Sequence, residues 1–523
     1  SSSRWKNGDA RVIETGPPKV TLRAARPRAY DGAIAAARTC YSPRVIEDSE
    51  ITDKQRDTIG PLTFTAGHHT VFQHATFEFG LENVSRQFVW AFLHSHPFYN
   101  SEQSSQRFVK LGEARACVPE GLSAEARAIY EASIEQAWEA YARLSRILVE
   151  DTTAIISDIR HLSPQASDAR RKKVAREAEK KAIEVARYVI PIGAFTSMVH
   201  SISGIVLHRL YRMSRSSDTP AEASLVIGEM VRLAREHDPA FFERVGEVPF
   251  EGDEIIESRW PRSQGAAAST AAEIDAQLGS RVSLLVDHTP AAEKITADAV
   301  RAVLGLDRMA LSDDEAIERA LSPAENRYRL DAMDLSPYSP LSRVSHHANY
   351  TFLKKLSHTA DSQDQRHRMT PGSRPMLTLT HTQDPDVIVP PLIAKNAEAR
   401  SVFEDSIARS WAAKEKLLSM GVRDEHAVYV LPNAVALRFH ESGSLMYLAH
   451  KWVMRTCLNA QEEIYQASMD ELEQVRAVHP RLARHMGPPC VLRRGRITPT
   501  CTEGEHFCGI PVWRDFPNIV RRL

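Results

Sequence analysis

Apolar and polar residues alternate through Thr76–Leu81 (TFEFGL), and an apolar run follows Ser85, so this stretch predicts a half-buried strand feeding a helix. Tyr350–Leu356 (YTFLKKL) predicts the same arrangement in the second half of the chain. From Tyr130 to about Arg160, and again from Asp168 to Ser203, apolar residues recur at helical spacing with one internal proline at most, and long helices are expected there. Between Pro249 and Gln277 the composition turns small and polar, which marks a linker. The pattern therefore predicts two similar α/β (α+β) domains, each a mixed or antiparallel sheet with long helices. Their bounds are 1–250 and 278–485, with a linker at 251–277 and a tail at 486–523.

Landmarks recur in the same order in both halves. His74-Ala-Thr-Phe-Glu-Phe is matched by His347-Ala-Asn-Tyr-Thr-Phe, and Ala186-Arg-Tyr-Val-Ile-Pro by Ala427-Val-Tyr-Val-Leu-Pro. Leu207-His-Arg-Leu-Tyr-Arg-Met is followed, one repeat later, by the Lys451-Trp-Val-Met-Arg segment. A tandem duplication accounts for this order, and 523 residues are too many for one ordinary core. A net charge of -1 gives no general basic excess, so nucleic acid is not an expected partner and any anion site must be local. The basic run Arg170–Lys181 is interleaved with acids and reads as the solvated face of a helix. No apolar run reaches membrane-span length and no secretory signal is evident, so a cytoplasmic protein without a membrane partner is expected.

Two fragments complement each other. Ser357–Pro375 contains Gln363-Asp-Gln-Arg366-His367-Arg368 and then Met-Thr-Pro-Gly-Ser-Arg-Pro. In the first half Leu93-His-Ser-His-Pro lacks those arginines, yet Asn100-Ser-Glu-Gln-Ser-Ser105-Gln-Arg107-Phe108 follows it. Together they resemble the signature of the flavin-dependent thymidylate synthases, R-H-R-x-x-S-x-N-E-x-S-x-R-Y. The second repeat keeps its front and the first its back, with Gln103 for Glu and Phe108 for Tyr. The turn His68-His-Thr70-Val-Phe-Gln73-His74 is similar to that family's His-x-Thr-Pro-Phe-Glu-His, and Arg187 matches a family arginine that Val428 replaces. Arg212 and Arg455 stand near the family's late helical arginine. The family's N-x-R, used for flavin, is missing from both Ser201-Ile-Ser-Gly and Glu441-Ser-Gly-Ser.

The resemblance implies two thymidylate-synthase-complementing-type domains and an FAD-dependent enzyme that methylates C5 of a uracil nucleotide such as dUMP. NADPH and methylenetetrahydrofolate would be cosubstrates. Family members are tetramers whose sites mix subunits, so the tandem chain is expected to form one composite site and to pair as a homodimer imitating a tetramer. Carried over by position, Gln363 and Arg366 are catalytic, and the substrate is held by Ser105, Arg107, Arg187, Arg212, Gln363 and Arg366. FAD is held by His68, Thr70, Gln73, Glu102, Gln103, Arg366, His367 and Arg368. The chemistry suits those types: arginine forks grip a phosphate, an amide matches a uracil edge, and Arg366 can hold an enolate oxygen. The crowded Arg366-His367-Arg368 calls for an anion such as a flavin phosphate. A non-catalytic flavin- or nucleotide-binding descendant, and a flavin enzyme with another uridine substrate or carbon donor, are the alternatives.

Six cysteines in so long a chain do not make a disulfide scaffold. Cys490, Cys501 and Cys508, with His506 or His485, could bind structural Zn²⁺ in a tail with little core of its own, or remain free thiols.

Overall fold

The alternation in the first half becomes β2 (Thr76–Ser85), with Phe77, Phe79 and Leu81 turned into the core. It lies between β1 (Lys19–Ala25) and β4 (Phe195–Ser203), and β3 (Asn100–Gln103) closes the sheet in the order β1-β2-β4-β3. In this computed structural model, which describes residues 13–107, 110–260, 262–263 and 265–523, the second half repeats that plan. There β5 (Ser283–His288), β6 (Asn349–Ser357), β8 (Ala436–Ser444) and β7 (Gly372–Ser373) stand in the order β5-β6-β8-β7. All pairings are antiparallel, and the registers agree at the strand ends, Thr76 opposite Ser203 and Asn349 opposite Ser444. Two repeats of one α/β fold are therefore present, and positions in one can be counted onto the other.

Helix Ala124–Ile159 fills the first long helical stretch, with the Ser123 side chain accepting from Ala126 N–H at its start. Over Asp168–Ser203 the structure departs from the expected helix, which ends at Ala186 and gives way to a 3-10 turn and then β4. Pro191 cannot continue a helix, and Phe195–Ser203 alternates buried with half-buried residues, a strand's period. On helix Asp168–Ala186 the charge run buries Val174 and Ala178 and leaves its lysines and arginines outward except Lys181, which turns inward toward Glu184. The stretch 251–277 holds most of helix Ala266–Leu278, whose Asp275 accepts from Lys355 (2.7 Å) and Arg438 (2.6 Å) of the second sheet.

Matching segments after the two long helices lock the repeats together. Ile192 N–H donates to Leu431 O (2.8 Å) and Asn433 N–H to Ile190 O (2.8 Å), while Gly193 N–H reaches Tyr429 O (2.9 Å) and Ala434 N–H reaches Tyr188 O (2.9 Å). A Cβ on Gly193 would meet Tyr429 Cβ and its carbonyl oxygen at 2.9 Å, so only glycine permits this approach. Each tyrosine then crosses the seam: Tyr429 OH donates to Glu222 (2.5 Å) and Tyr188 OH to Glu463. Those glutamates also accept from Ser85 and Ser357, the N-caps of helices Arg86–His94 and His358–Asp364. One hydrophobic core runs through the seam, with Tyr130, Trp138 and Leu144 from the first repeat against Phe403, Trp411 and Leu431 from the second.

Removing one cross-seam donor leaves a buried carboxylate short of a partner. Tyr429→Phe is expected to lower unfolding stability by about 1.5–3 kcal/mol with an unchanged urea m-value. Urea denaturation checks this, and a loss under about 0.5 kcal/mol would remove the bond from the seam's energetics.

Candidate functional site

Helix His358–Asp364 starts on Ser357 and ends where Asp364, fully buried, accepts from Lys451 Nζ at 2.6 Å. That anchor fixes where the next residues emerge. Arg366 reaches across to the first repeat and makes a two-pronged pair with Glu102 on β3 (2.8 and 3.2 Å), both side chains being more than half exposed. Arg368 donates to Pro97 O (3.3 Å) and Asn100 Oδ1 (3.4 Å) and lies 5.0 Å from the centre of the Tyr99 ring. A cavity of about 260 Å³ opens between them, bounded by Tyr99, Glu102, Gln103, Arg366 and Arg368. The surviving front fragment of one repeat thus meets the surviving back fragment of the other.

Arg455, at the end of helix Leu445–Arg455, joins this cluster to a larger one. Its Nε–H donates to His367 Nε2 (2.9 Å) and its Nη2 to Gln363 O (3.1 Å). Arg107 donates to Asn459 O (2.9 Å) and to Glu184 (3.2 Å), and both arginines line a cavity of about 580 Å³. Burial, then the charges of Arg107 and Arg366, push the Arg455 guanidinium down against the pull of Asp364. Burial and Arg455 also push His367 well down, so it is a neutral acceptor at pH 7. Burial alone would raise the Glu184 carboxyl, but Lys181, Arg107, Arg187 and Arg521 hold it at about 2. One carboxylate therefore faces several buried cations, an arrangement that a bound anion would relieve.

The remaining expected residues divide. Ser105 Oγ accepts from Arg107 N–H (3.2 Å), and Gln103 Oε1 is buried without a partner among the described residues. Gln363 Nε2 donates to Thr359 O (3.4 Å). Arg187 is 1% exposed, donates through Nε to Glu184 O (3.0 Å), and keeps a buried Nη2 without a partner. Phe108 lies outside the described residues. Arg212 is drawn elsewhere, to Glu247 (3.0 Å), Val248 O (2.7 Å) and the Phe250 ring (3.8 Å). The reason is helical phase: Arg212 is nine residues past Ser203, whereas Arg455 is eleven past the equivalent Ser444, and two residues turn a helix by about 200°. Counting from those serines is the signal that distinguishes them. Lys181, Glu184 and Asn459 carried no sequence signal, since only tertiary packing brings them to Arg107.

His68, Thr70 and Gln73 are exposed at the 3-10 turn His69–His74, whose His69 lies 3.4 Å from Arg209. No described contact joins them to Arg366. The tail residues do not form a metal centre either. Among the described residues no group of three or more His, Cys, Asp and Glu side chains is placed to hold a metal ion, and Cys490, Cys501 and Cys508 are free. Burial pushes the Cys490 thiol up to about 12, and the tail is fixed by other means, such as Asn459 Nδ2 to His506 O (2.9 Å) and Arg493 to Leu330 O (2.6 Å). The structure does not gather Cys490, Cys501, Cys508 and His506 into one ligand shell. No helix among the described residues is long and apolar enough to cross a membrane.

The model of the thymidylate synthase complementing protein family matches residues 21–240 and again 284–481, one match per sheet. The chain belongs to this family. Flavin-dependent thymidylate synthase of Geobacter sulfurreducens is 31% identical over 233 residues, 92% of that protein and 43% of this chain. Flavin-dependent thymidylate synthase of Clostridium tetani is 25% identical over 232 residues, 86% of that protein and 44% of this chain. Nearly whole relatives thus fit within less than half of this family member, as a duplication requires.

Asp218 also ties the repeats, accepting from Gln87 Nε2 (2.7 Å), Leu377 N–H (2.7 Å) and Thr378 N–H (3.0 Å), and burial pushes its pKa up to about 6. A carboxyl whose folded pKa is raised binds its proton better when folded. Its contribution to stability therefore falls as pH rises from about 4 to about 6, by on the order of 3 kcal/mol, and is flat above. Asp218→Asn should remove that slope from the stability–pH curve measured by urea unfolding; an unchanged slope would assign it to other groups.

Proposed function

We propose that the chain is an FAD-dependent, thymidylate-synthase-like enzyme that methylates C5 of a uracil nucleotide such as dUMP at one site shared between its repeats. The observation that carries this reading is that Arg107 and Arg455, from different repeats, line one cavity, while Arg455 bonds His367, the neighbour of Arg366. Arg107, Arg187 and Arg455, with the Ser105 hydroxyl, surround the nucleotide phosphate with charge-assisted donors. Gln363 pairs with the uracil edge, and Arg366 stabilises the oxygen on which charge builds as the ring becomes nucleophilic at C5.

The donor set fits an anionic cofactor. Arg366 and Arg368 present guanidinium groups at the cavity beside Tyr99, where the unpartnered Gln103 Oε1 is an acceptor open to a ligand N–H. FAD would be held by Arg366, His367 and Arg368 with Glu102 and Gln103, and by His68, Thr70 and Gln73. When bound, it supplies the reducing equivalents, taken from NADPH, that turn a carbon unit from methylenetetrahydrofolate into a methyl group. His367 serves as a neutral positioning group that fixes Arg455. With its repeats taken as 1–250 and 278–485, the chain pairs with a second copy to imitate a tetramer of single-repeat subunits.

Arg366→Ala and Arg107→Ala should each weaken dUMP binding by about a hundredfold or more, although they sit in different repeats. Titration calorimetry with dUMP measures this, and full binding by either variant would defeat the shared site. Anaerobic absorption spectra with FAD and NADPH, with and without dUMP, test the chemistry. Bleaching that depends on dUMP is expected, whereas dUMP binding without any flavin binding would leave a nucleotide-binding descendant.

A further inference from the structure

A second cavity, of about 520 Å³, occupies the counterpart of the first under the exchange of repeats. Its walls are helix Arg86–His94 and the loop after it, helix Gly204–Met213, and Gly372–Met376 of the second repeat. Counted from the N-cap serines, His94 stands where Arg366 does, His96 where Arg368 does, and Ser214 where Arg455 does. The register of β3 and β7 puts Met376 in place of Ser105 and Thr378 in place of Arg107, and the paired tyrosines put Val428 in place of Arg187. Every member of the anion grip has gone, yet the cavity has not been filled.

What replaced the grip is aromatic and apolar: Trp90, Phe92, Phe98, Met213, Ile227 and Met376. Phe98 is 60% exposed and Met213 45%, so large apolar groups meet water where the cavity opens. The most buried charges nearby are engaged. Arg374 is held by Asp361 (2.9 Å) and Glu441 (3.3 Å), and Asp218 by Gln87 of its own repeat and by Leu377 and Thr378 of the other, while the exposed Arg209 and Glu257 bring opposite signs to the mouth. Burial holds His94 and His96 down at about 4, neutral at pH 7.

His96 supplies a direction. Phe98 N–H donates to its Nδ1 (3.1 Å), so that nitrogen is the acceptor and Nε2 bears the hydrogen. That Nε2–H is buried and has no acceptor among the described residues, a cost that a ligand oxygen would remove. The His96 ring itself stacks near Phe98, 6.2 Å between centroids at 15°.

We propose that this cavity is a second small-molecule site, one that takes an uncharged, flat heteroaromatic ring whose carbonyl oxygen accepts from His96 Nε2–H. Aromatic walls favour a planar ring, the loss of arginines and the neutral histidines disfavour an anion, and the orphan donor calls for one acceptor. The inference rests on the pseudo-symmetry and the cavity, not on the nucleotide reading of the other site.

The test uses the full chain and quinazolin-4-one, an uncharged bicyclic ring with one carbonyl, titrated by calorimetry beside dUMP in the same preparation. One saturable site per chain, not displaced by dUMP, is expected. Met376→Trp, which fills the cavity, should weaken the quinazolinone by about tenfold or more, and His96→Phe by about fivefold, with dUMP binding unchanged in both. No saturable binding, displacement by dUMP, equal affinity in both variants, or loss of binding as the chain self-associates would each overturn the proposal; in the last case a second copy covers the mouth. Loss of dUMP binding with quinazolinone binding intact would strike the nucleotide reading alone.

Discussion

The seam between Tyr188–Ala194 and Tyr429–Val435 is the constraint on which the rest of the molecule depends. Its hydrogen bonds come in matched pairs, and each tyrosine supplies a donor to a glutamate that also accepts from the capping serine of a helix in its own repeat. A buried carboxylate is costly without donors, so Glu222 and Glu463 are acceptable only while both repeats are docked. Helix placement within each repeat is thereby tied to the joining of the two. The candidate site inherits its geometry from this coupling, because Arg366 meets Glu102, and Arg107 meets Asn459 O, only across the junction of the two repeats.

Duplication has left the two halves free to diverge in polarity. In the second repeat Lys354, Glu441, Asp364 and Lys451 form a buried ion network, with Lys451 Nζ 2.6 Å from Asp364 and Lys354 Nζ 2.8 Å from Glu471. The equivalent positions of the first repeat, by the same register, are Leu81, His200, Phe92 and Leu210, which are buried without such pairs. The charged core anchors the end of helix His358–Asp364, from which Arg366, His367 and Arg368 emerge. The apolar core underlies the helix that carries the replacement histidines. The two cavities accordingly differ in kind, one surrounded by guanidinium groups and the other by aromatic rings.

Residues that act on charge were legible where the chain holds them close together. Arg366-His367-Arg368 and Ser105-Gln-Arg107 are local fragments; in the fold Arg366 pairs with Glu102 and Arg107 with Asn459 O, each across the junction of the repeats. Arg212 and Arg455 were harder to separate, because each sits in a similar helical segment and only the phase from the N-cap decides which faces His367. The helix expected through Asp168–Ser203 stopped at Ala186 because Pro191 and a period-two pattern overrode the earlier spacing. The tail shows the opposite limit: cysteine spacing constrains which ligands are available, but not whether packing brings them into one shell.

By itself the sequence determined the duplication, the strand that precedes each motif helix, and the division of one motif between the repeats. These are properties of local order, carried by alternation, capping serines and landmarks repeated in the same succession. Only the tertiary structure decided that Arg455 joins Arg107 to Arg366, that Glu184 and Lys181 belong to the same cavity, and that the counterpart cavity stays open with an unpaired His96 Nε2–H. Those facts depend on helical phase and on contacts between residues hundreds of positions apart, which hydrophobic periodicity along the chain does not encode.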